Sequence, residues 1–298
     1  MKILVTGANG FIGQKLCQQL NQQHIDYVTL GRNKPGTSQK THIPCDLLKA
    51  EDFNRIVRAS GASHLIHLAW YTEHGKYWQS AVNRSWYHAS MELVEAFIRA
   101  GGQHVTITGT CAEYDWRYGF CNEQLTPLRC ESLYSEYKNK LRCASEALCD
   151  EHGVTLAWAR VFFCYGDGEN PARLIPSLRQ TFRGKQAPFG VNLDVYRDFI
   201  DVHDTANALC TLTQCQAAGC YNISSAQPLL LRTLVELIAH QEHADATLVT
   251  RQPPQRQENF PLLVGDNRKL KELGWQPLQY FQHHLAHSHA TLRSAANE

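Results

Sequence analysis

Short apolar runs rich in β-branched residues punctuate the first half of the chain: Ile3-Leu4-Val5, Tyr27-Val28-Thr29-Leu30, Leu65-Ile66-His67-Leu68, Val105-Thr106-Ile107-Thr108 and Leu156-Ala157-Trp158-Ala159. Each has the length of a strand. The intervals leave room for a helix between most successive pairs, as a parallel sheet with right-handed crossovers requires. The stretches Phe11 to Gln23, Asn83 to Ala100 and Tyr134 to His152 have helical patterning. Together they predict an α/β fold built on a doubly wound parallel sheet.

Beyond Tyr165 the character changes. Gly166-Asp167-Gly168-Glu169-Asn170-Pro171 reads as a loop, and Leu174 to Phe182 as an amphipathic helix. Phe199-Ile200-Asp201-Val202 and Tyr221-Asn222-Ile223 read as strands or strand ends, Leu229 to His240 as a helix, and Arg251 to Glu258 as a loop. There is no internal repeat and no low-complexity tract.

Composition narrows the function classes. With 298 residues the chain can build a substantial core, and a formal charge of +1 supplies no global field for nucleic acid or an anionic membrane. Phosphate recognition must therefore be local. The opening Met1-Lys2-Ile3-Leu4-Val5-Thr6-Gly7 is too brief for a secretory or transmembrane segment and reads as a buried strand. Eleven cysteines without a CxxC pair point to reduced thiols and a cytoplasmic location. His283, His284, His287 and His289 lack the partner spacing of a metal site and read as a solvated helix face.

Thr6-Gly7-Ala8-Asn9-Gly10-Phe11-Ile12-Gly13 joins the first strand to the first helix. Gly7 permits the tight turn, Gly10 admits a pyrophosphate to the backbone N–H groups, and Gly13 lets helix and strand pack closely. This is a dinucleotide-binding pattern. The second strand ends in Leu30-Gly31-Arg32-Asn33-Lys34, with Arg32 where an acidic residue would bind the ribose of NAD. A guanidinium there matches a 2′-phosphate, so NADP is expected, with NAD the alternative.

Tyr134 and Lys138 lie four apart, on one helical face. A neighbouring ammonium and the positive nicotinamide ring would favour the phenolate of a tyrosine that otherwise titrates near pH 10. Upstream, a strand ends in the hydroxyl residues Thr108-Gly109-Thr110.

The glycine pattern, His67-Leu68-Ala69, Thr110 four residues before Tyr114, and Tyr134 with Lys138 resemble the extended short-chain dehydrogenase/reductases, and more narrowly the NAD-dependent epimerase/dehydratase family acting on nucleotide sugars. Further matches run to the end of the chain: Arg160 through Gly166, Arg197 through Asp204, Gly219 through Ile223, Asp266 through Lys269, and Leu273-Gly274-Trp275-Gln276-Pro277. The resemblance implies a Rossmann domain over residues 1–165, with 194–224 returning to it. Residues 166–193 and 225–298 would form a smaller C-terminal α+β substrate-binding domain. It implies that Tyr134 is the general acid/base, that Thr110 bonds the same substrate oxygen, and that Lys138 holds the nicotinamide ribose. Asp46 and Leu47 would lie at the adenine, Leu68 and Ala69 along the cofactor, and Asn83 near the active site. Arg197 and Arg256 would grip the substrate pyrophosphate. Trp70 and Cys111 would border the sugar, within an aromatic set that includes Tyr71, Tyr77, Trp78, Tyr114 and Trp116. The resemblance also implies a homodimer through the helices Asn83 to Ala100 and Tyr134 to His152.

Departures from the family pattern narrow the reaction. Sugar dehydratases of this family place acidic or Ser-Glu residues directly after the catalytic threonine, where this chain has Cys111 and Ala112, with Glu113 one place later and directed differently. Epimerase-reductases of the GDP-fucose synthase kind use a cysteine and a histidine where this chain has Ala112 and Gly168. Plain hydride chemistry remains. The expected activity is reduction of a nucleotide-linked 4-keto-6-deoxy sugar with NADPH. The alternatives are a 4-epimerase with retained NAD+ and, outside enzymes, a dinucleotide-binding sensor.

Overall fold

The structure, a computed structural model, describes residues 1–36, 41–50, 52–254 and 260–278. In chain order the elements are β1 (Lys2–Thr6), α1 (Phe11–Gln22), β2 (Asp26–Gly31), β3 (His42–Pro44), α2 (Phe53–Ser60), β4 (His64–His67), α3 (Val82–Arg99), β5 (His104–Thr110), β6 (Phe120–Cys121), α4 (Leu133–His152), β7 (Thr155–Val161) and β8 (Phe163–Tyr165). There follow α5 (Leu174–Phe182), β9 (Tyr196–Asp201), α6 (Val202–Gln214), β10 (Gly219–Ile223), β11 (Pro228–Leu230), α7 (Leu231–Gln241), α8 (Thr247–Thr250), β12 (Leu262–Gly265) and α9 (Arg268–Lys271).

Seven parallel strands form the larger sheet in the order β10-β7-β5-β4-β1-β2-β3. Alternate side chains of each strand serve opposite faces. Ile3 and Val5 of β1, with Ala157 and Ala159 of β7, pack on Leu16 and Leu20 of α1 and Leu209 and Leu212 of α6. Leu4, Leu156 and Trp158 point the other way, onto Phe53 of α2, Leu93 and Phe97 of α3 and Leu141 of α4. Both faces are covered, which is why these strands read as nearly continuous apolar runs.

The smaller sheet has the path β11-β9-β12-β6, with β8 paired to β9. Its core joins Phe199 and Leu229 to Leu178 and Phe182 of α5 and to Leu234, Val235 and Ile238 of α7. The stretch 194–224 is divided between the sheets: β9 lies in the smaller one, whereas β10 lies in the larger one and α6 packs on that sheet. Val202, read with the apolar run before it, starts α6 instead, because Asp201 caps the helix by accepting the His203 N–H at 2.7 Å. Leu229 and Leu230 pair with β9 as β11, so α7 begins two residues later than the periodicity suggests. Among the described residues, no helix is long and apolar enough to cross a membrane.

The sheet buries three histidines, and two of them, His67 and His104, are held in the neutral form between hydroxyl groups. His67 lies between the Thr6 hydroxyl at 2.7 Å and the Ser90 hydroxyl at 2.8 Å. His104 lies between those of Thr155 at 2.8 Å and Thr106 at 2.9 Å. Burial, with Lys138 nearby, pushes His67 down to about 3; burial, with His64 nearby, pushes His104 down to about 4. The unfolded chain protonates its histidines near pH 6.5, so this stability is complete above that pH and is lost as the pH falls toward the folded values. Each histidine then costs about 2 kcal/mol of stability between pH 6.5 and 5. Thermal melts at pH 7.5 and 5.0 should show a marked drop in Tm, and His104→Gln should make the pH dependence shallower. An unchanged slope in that variant would refute the assignment.

Candidate active site

The order of the larger sheet reverses at β1, which has β2 on one side and β4 on the other. In open α/β sheets such a reversal leaves a crevice at the carboxyl ends of the strands. Gly7 leaves β1 with φ +71°, and a Cβ there would lie 2.8 Å from the Ala69 nitrogen just beyond β4. A Cβ on Gly13 would come within 2.1 Å of the Gly7 carbonyl oxygen, whereas at Gly10 the same oxygen would be 3.2 Å away. Gly10 is the N-cap of α1 and offers no side-chain cap to the first-turn N–H groups. A cradle closed to side chains, beside an uncapped helix N-terminus, fits the pyrophosphate of a dinucleotide.

The surrounding residues frame that cradle. Asn9 donates from Nδ2 to the Asn33 carbonyl at 2.5 Å, tying the glycine turn to the end of β2. Phe11 and Ile12 open α1 and pack against the core below. The N–H groups of Leu68 and Ala69 both reach the Thr6 hydroxyl at 3.2 Å. Arg32 and Asn33 are exposed at the end of β2. Asp46 turns an oxygen back to the Leu48 N–H at 3.2 Å. The Leu47 side chain is buried in the core.

Thr110 ends β5, while Tyr134 and Lys138 occupy successive turns at the start of α4. A capping box between Ser132 and Ser135 fixes that first turn. The Thr110 hydroxyl lies close enough to that of Tyr134 to favour its phenolate, so strand and helix deliver the two groups to one point. Lys138 is buried, donating to the Thr108 carbonyl at 2.8 Å with its ammonium 4.1 Å from the centre of the Trp70 ring. Trp70 in turn donates to Asn83 Oδ1 at 2.8 Å, and Asn83 Nδ2 holds the carbonyls of Tyr77 and Ser80. Tyr77 and Trp78 stack on each other, and both meet the Tyr134 ring edge-on, with centroids 4.9 and 5.8 Å away.

In the chain by itself burial, reinforced by Tyr77, pushes the Tyr134 phenol well above its ordinary range, so a phenolate there depends on the charge a bound nicotinamide adds to that of the lysine. Burial pushes Lys138 down to about 7 against the pull of Glu113. The physical reason is that an enclosed site penalises whichever form is charged. The proton therefore rests on Tyr134.

Arg197 is buried at the edge of the same region, bonded to the Tyr196 carbonyl at 2.7 Å; burial pushes it down to about 10, against the pull of Cys111. Cys111 is also buried, and burial pushes its thiol far up. Arg256 and the histidines from His283 to His289 lie outside the described residues. Glu113 turns away from the substrate side into the protein, where it is completely buried against Arg160. That pairing was missed in the sequence, although an arginine ending the apolar run of β7 signals that a buried partner is needed. The closeness of the Tyr77 ring to Tyr134 was also missed, since the two are separated by most of a βα unit.

Residues 3–224 match the NAD dependent epimerase/dehydratase family. GDP-6-deoxy-D-mannose reductase of Pseudomonas aeruginosa is 30% identical over 176 residues, covering 54% of this chain and 57% of the relative, so the match spans little more than half of each. The dTDP-6-deoxy-L-talose 4-dehydrogenase (NAD(+)) of Aggregatibacter actinomycetemcomitans is 25% identical, covering 79% of this chain and 88% of its own. Among solved structures, UDP-glucose 4-epimerase of Thermus thermophilus in complex with NAD shares the fold with TM-score 0.80 at 20% identity, over 96% of both chains.

Proposed function

Since this chain belongs to the NAD dependent epimerase/dehydratase family and is an enzyme, we propose that it reduces a nucleotide-activated 4-keto-6-deoxy sugar at C4 with NADPH. The observation that carries the reading is the resting state of the site. A protonated Tyr134 lies beside the Thr110 hydroxyl, and the loop after Thr110 offers it no free carboxylate, because Cys111 and Ala112 follow Thr110 and Glu113 is committed to Arg160. Such a site can donate a proton to an oxygen; it lacks the additional acid and base that elimination of water requires. The names of the two relatives give further support, since both contain a nucleotide-linked 6-deoxy sugar.

Gly7, Asn9, Gly10, Phe11, Ile12 and Gly13 would hold the dinucleotide pyrophosphate. Arg32 and Asn33 would take the 2′-phosphate, Asp46 and Leu47 the adenine, and Leu68 and Ala69 the middle of the cofactor. When bound, the cofactor supplies the hydride. Tyr134 gives its phenolic proton to the C4 oxygen, and the Thr110 hydroxyl bonds that same oxygen and orients it. Lys138 holds the nicotinamide ribose and restores positive charge beside the phenol once its proton has left. Trp70 and Cys111, with Tyr77 and Trp78, line the sugar and exclude water, while Arg197 and Arg256 bind the substrate diphosphate. A second reading, a 4-epimerase with retained NAD+, uses the same three groups. It is favoured by the exposure of Arg32. The helices α3 and α4 present Trp86, Tyr87, Met91, Tyr137 and Leu148 as a partly buried apolar strip, which suits a homodimer.

Tyr134→Phe should reduce kcat by about 10²–10⁴-fold while leaving NADPH binding intact; activity at the wild-type level would remove the acid role. Mass spectrometry of nucleotide released on denaturation should find little bound cofactor, or NADP(H). Stoichiometric NAD+ would establish the epimerase reading instead. Sedimentation should give a dimer at micromolar concentration, and a monomer throughout would exclude the α3–α4 interface.

A further inference from the structure

Glu113 is completely buried, and the reaction proposed above gives it no task. Its Oε1 accepts the Thr110 N–H at 2.9 Å, its Oε2 accepts the Arg160 Nε–H at 2.8 Å, and the Trp158 indole N–H bridges both oxygens at 3.1 and 3.0 Å. Arg160 continues the chain, donating from Nη1 to the Tyr114 hydroxyl at 3.0 Å, which donates to Asn222 Oδ1 at 2.8 Å. Asn222 Nδ2 then reaches the carbonyls of Cys121 at 2.9 Å and Asp266 at 3.1 Å, beside the smaller sheet. The backbone makes room for this arrangement. A Cβ on Gly109 would lie 2.2 Å from Trp158 Nε1 and 2.7 Å from Glu113 Oε1, so the residue before Thr110 must be glycine for the carboxylate to enter. A buried ion pair is a poor way to gain stability, because desolvating both ions offsets most of their attraction and apolar side chains of the same shape do as well. Its location directly beneath Thr110 calls for another role.

We propose that Glu113 is a positioning residue for the reduction: it clamps the Thr110 backbone N–H from beneath, fixing the strand end that places the Thr110 hydroxyl beside Tyr134, and provides the negative charge that acts on Lys138. This rests on the reading of Thr110, Tyr134 and Lys138 as the reacting set. The groups acting on Lys138 are the Glu113 carboxylate from the turn after β5, the neutral His67 from β4, the Trp70 ring and the Thr108 carbonyl. Tyr134 faces Glu113, Tyr77, Cys111 and Thr110. Glu113 opposes the loss of a proton at both Lys138 and Tyr134. Removing its charge therefore lets both protons leave at lower pH, and a reduction that needs both should lose its alkaline limb earlier.

The test is Glu113→Gln together with the double variant Glu113→Gln/Arg160→Met, which removes both charges should a lone buried Arg160 prevent folding. The primary readout is the pH titration of the Lys138 ¹³Cε NMR resonance in lysine-labelled protein, assigned by its loss in Lys138→Met. Its midpoint should fall by about one pH unit in either folded variant and stay in place in Glu113→Asp, which keeps the charge. The alkaline limb of kcat for NADPH-dependent reduction should move with it, while the KM for NADPH stays within about threefold. An unchanged midpoint in the folded double variant would overturn the proposal. Full activity of Tyr134→Phe with a shifted Lys138 midpoint would instead leave Glu113 in place and remove the reading of the reacting set.

Discussion

The backbones at Gly7 and Ala69 come closer than any side chain at Gly7 would permit, and the dinucleotide cradle is a consequence of that approach. The contact forms because β1 and β4 are neighbours at the point where strand order reverses, so their carboxyl ends diverge into helices on opposite faces. Thr6 stabilises it by accepting the N–H groups of Leu68 and Ala69, and His67 fixes the Thr6 hydroxyl from within the sheet. His67 can do so only while neutral, and burial guarantees that state near neutral pH. The same packing brings Gly13 onto the Gly7 carbonyl, which aims α1 and its uncapped N–H groups over the crevice.

Around this cradle the fold concentrates buried polarity to an unusual degree. Lys138, Glu113, Arg160, Asn83 and Asn222 are all nearly inaccessible, and each is matched by specific partners rather than by solvent. Unmatched, any of them would cost several kcal/mol. Matched, they lock β5, β7, β10 and the start of α4 in one relative position. Thr110, Tyr134 and Lys138, proposed as the reacting groups, come from a strand end and a helix start, and this polar substructure is what keeps them in register.

The outline of this arrangement was legible in the sequence wherever a periodicity was long or a glycine was obligatory. β1, β2, β4, β5 and β7 coincide with the apolar runs, and α1, α3 and α4 with the helical stretches between them, because strands covered on both faces admit few polar interruptions. Tyr134 and Lys138 were legible as a pair because helical spacing dictates which residues share a face. β3 has three residues, and α2 lies in a polar context, so neither leaves a periodic trace. The partnership of Glu113 with Arg160 was hidden for a different reason. It depends on which way a short turn directs its side chain, and only the empty space at Gly109 decides that. The direction of the Tyr134 shift was likewise inaccessible, because adjacency to a lysine is visible in sequence whereas the depth of burial is not.

That depth bears on the direction of the chemistry. Reduction of a ketone consumes a proton at the new alkoxide, whereas oxidation of an alcohol must begin by removing one. In this site the phenol holds its proton more firmly than a tyrosine in water, and the lysine holds its own less firmly. Oxidation needs the phenolate, which a charged ammonium and a bound oxidised nicotinamide would together favour. The Lys138 ammonium points to the Thr108 carbonyl and the Trp70 face, so in the resting state its charge is engaged by the strand and the ring. A phenol that holds its proton suits delivery to a carbonyl oxygen, and this supports the reduction proposed above.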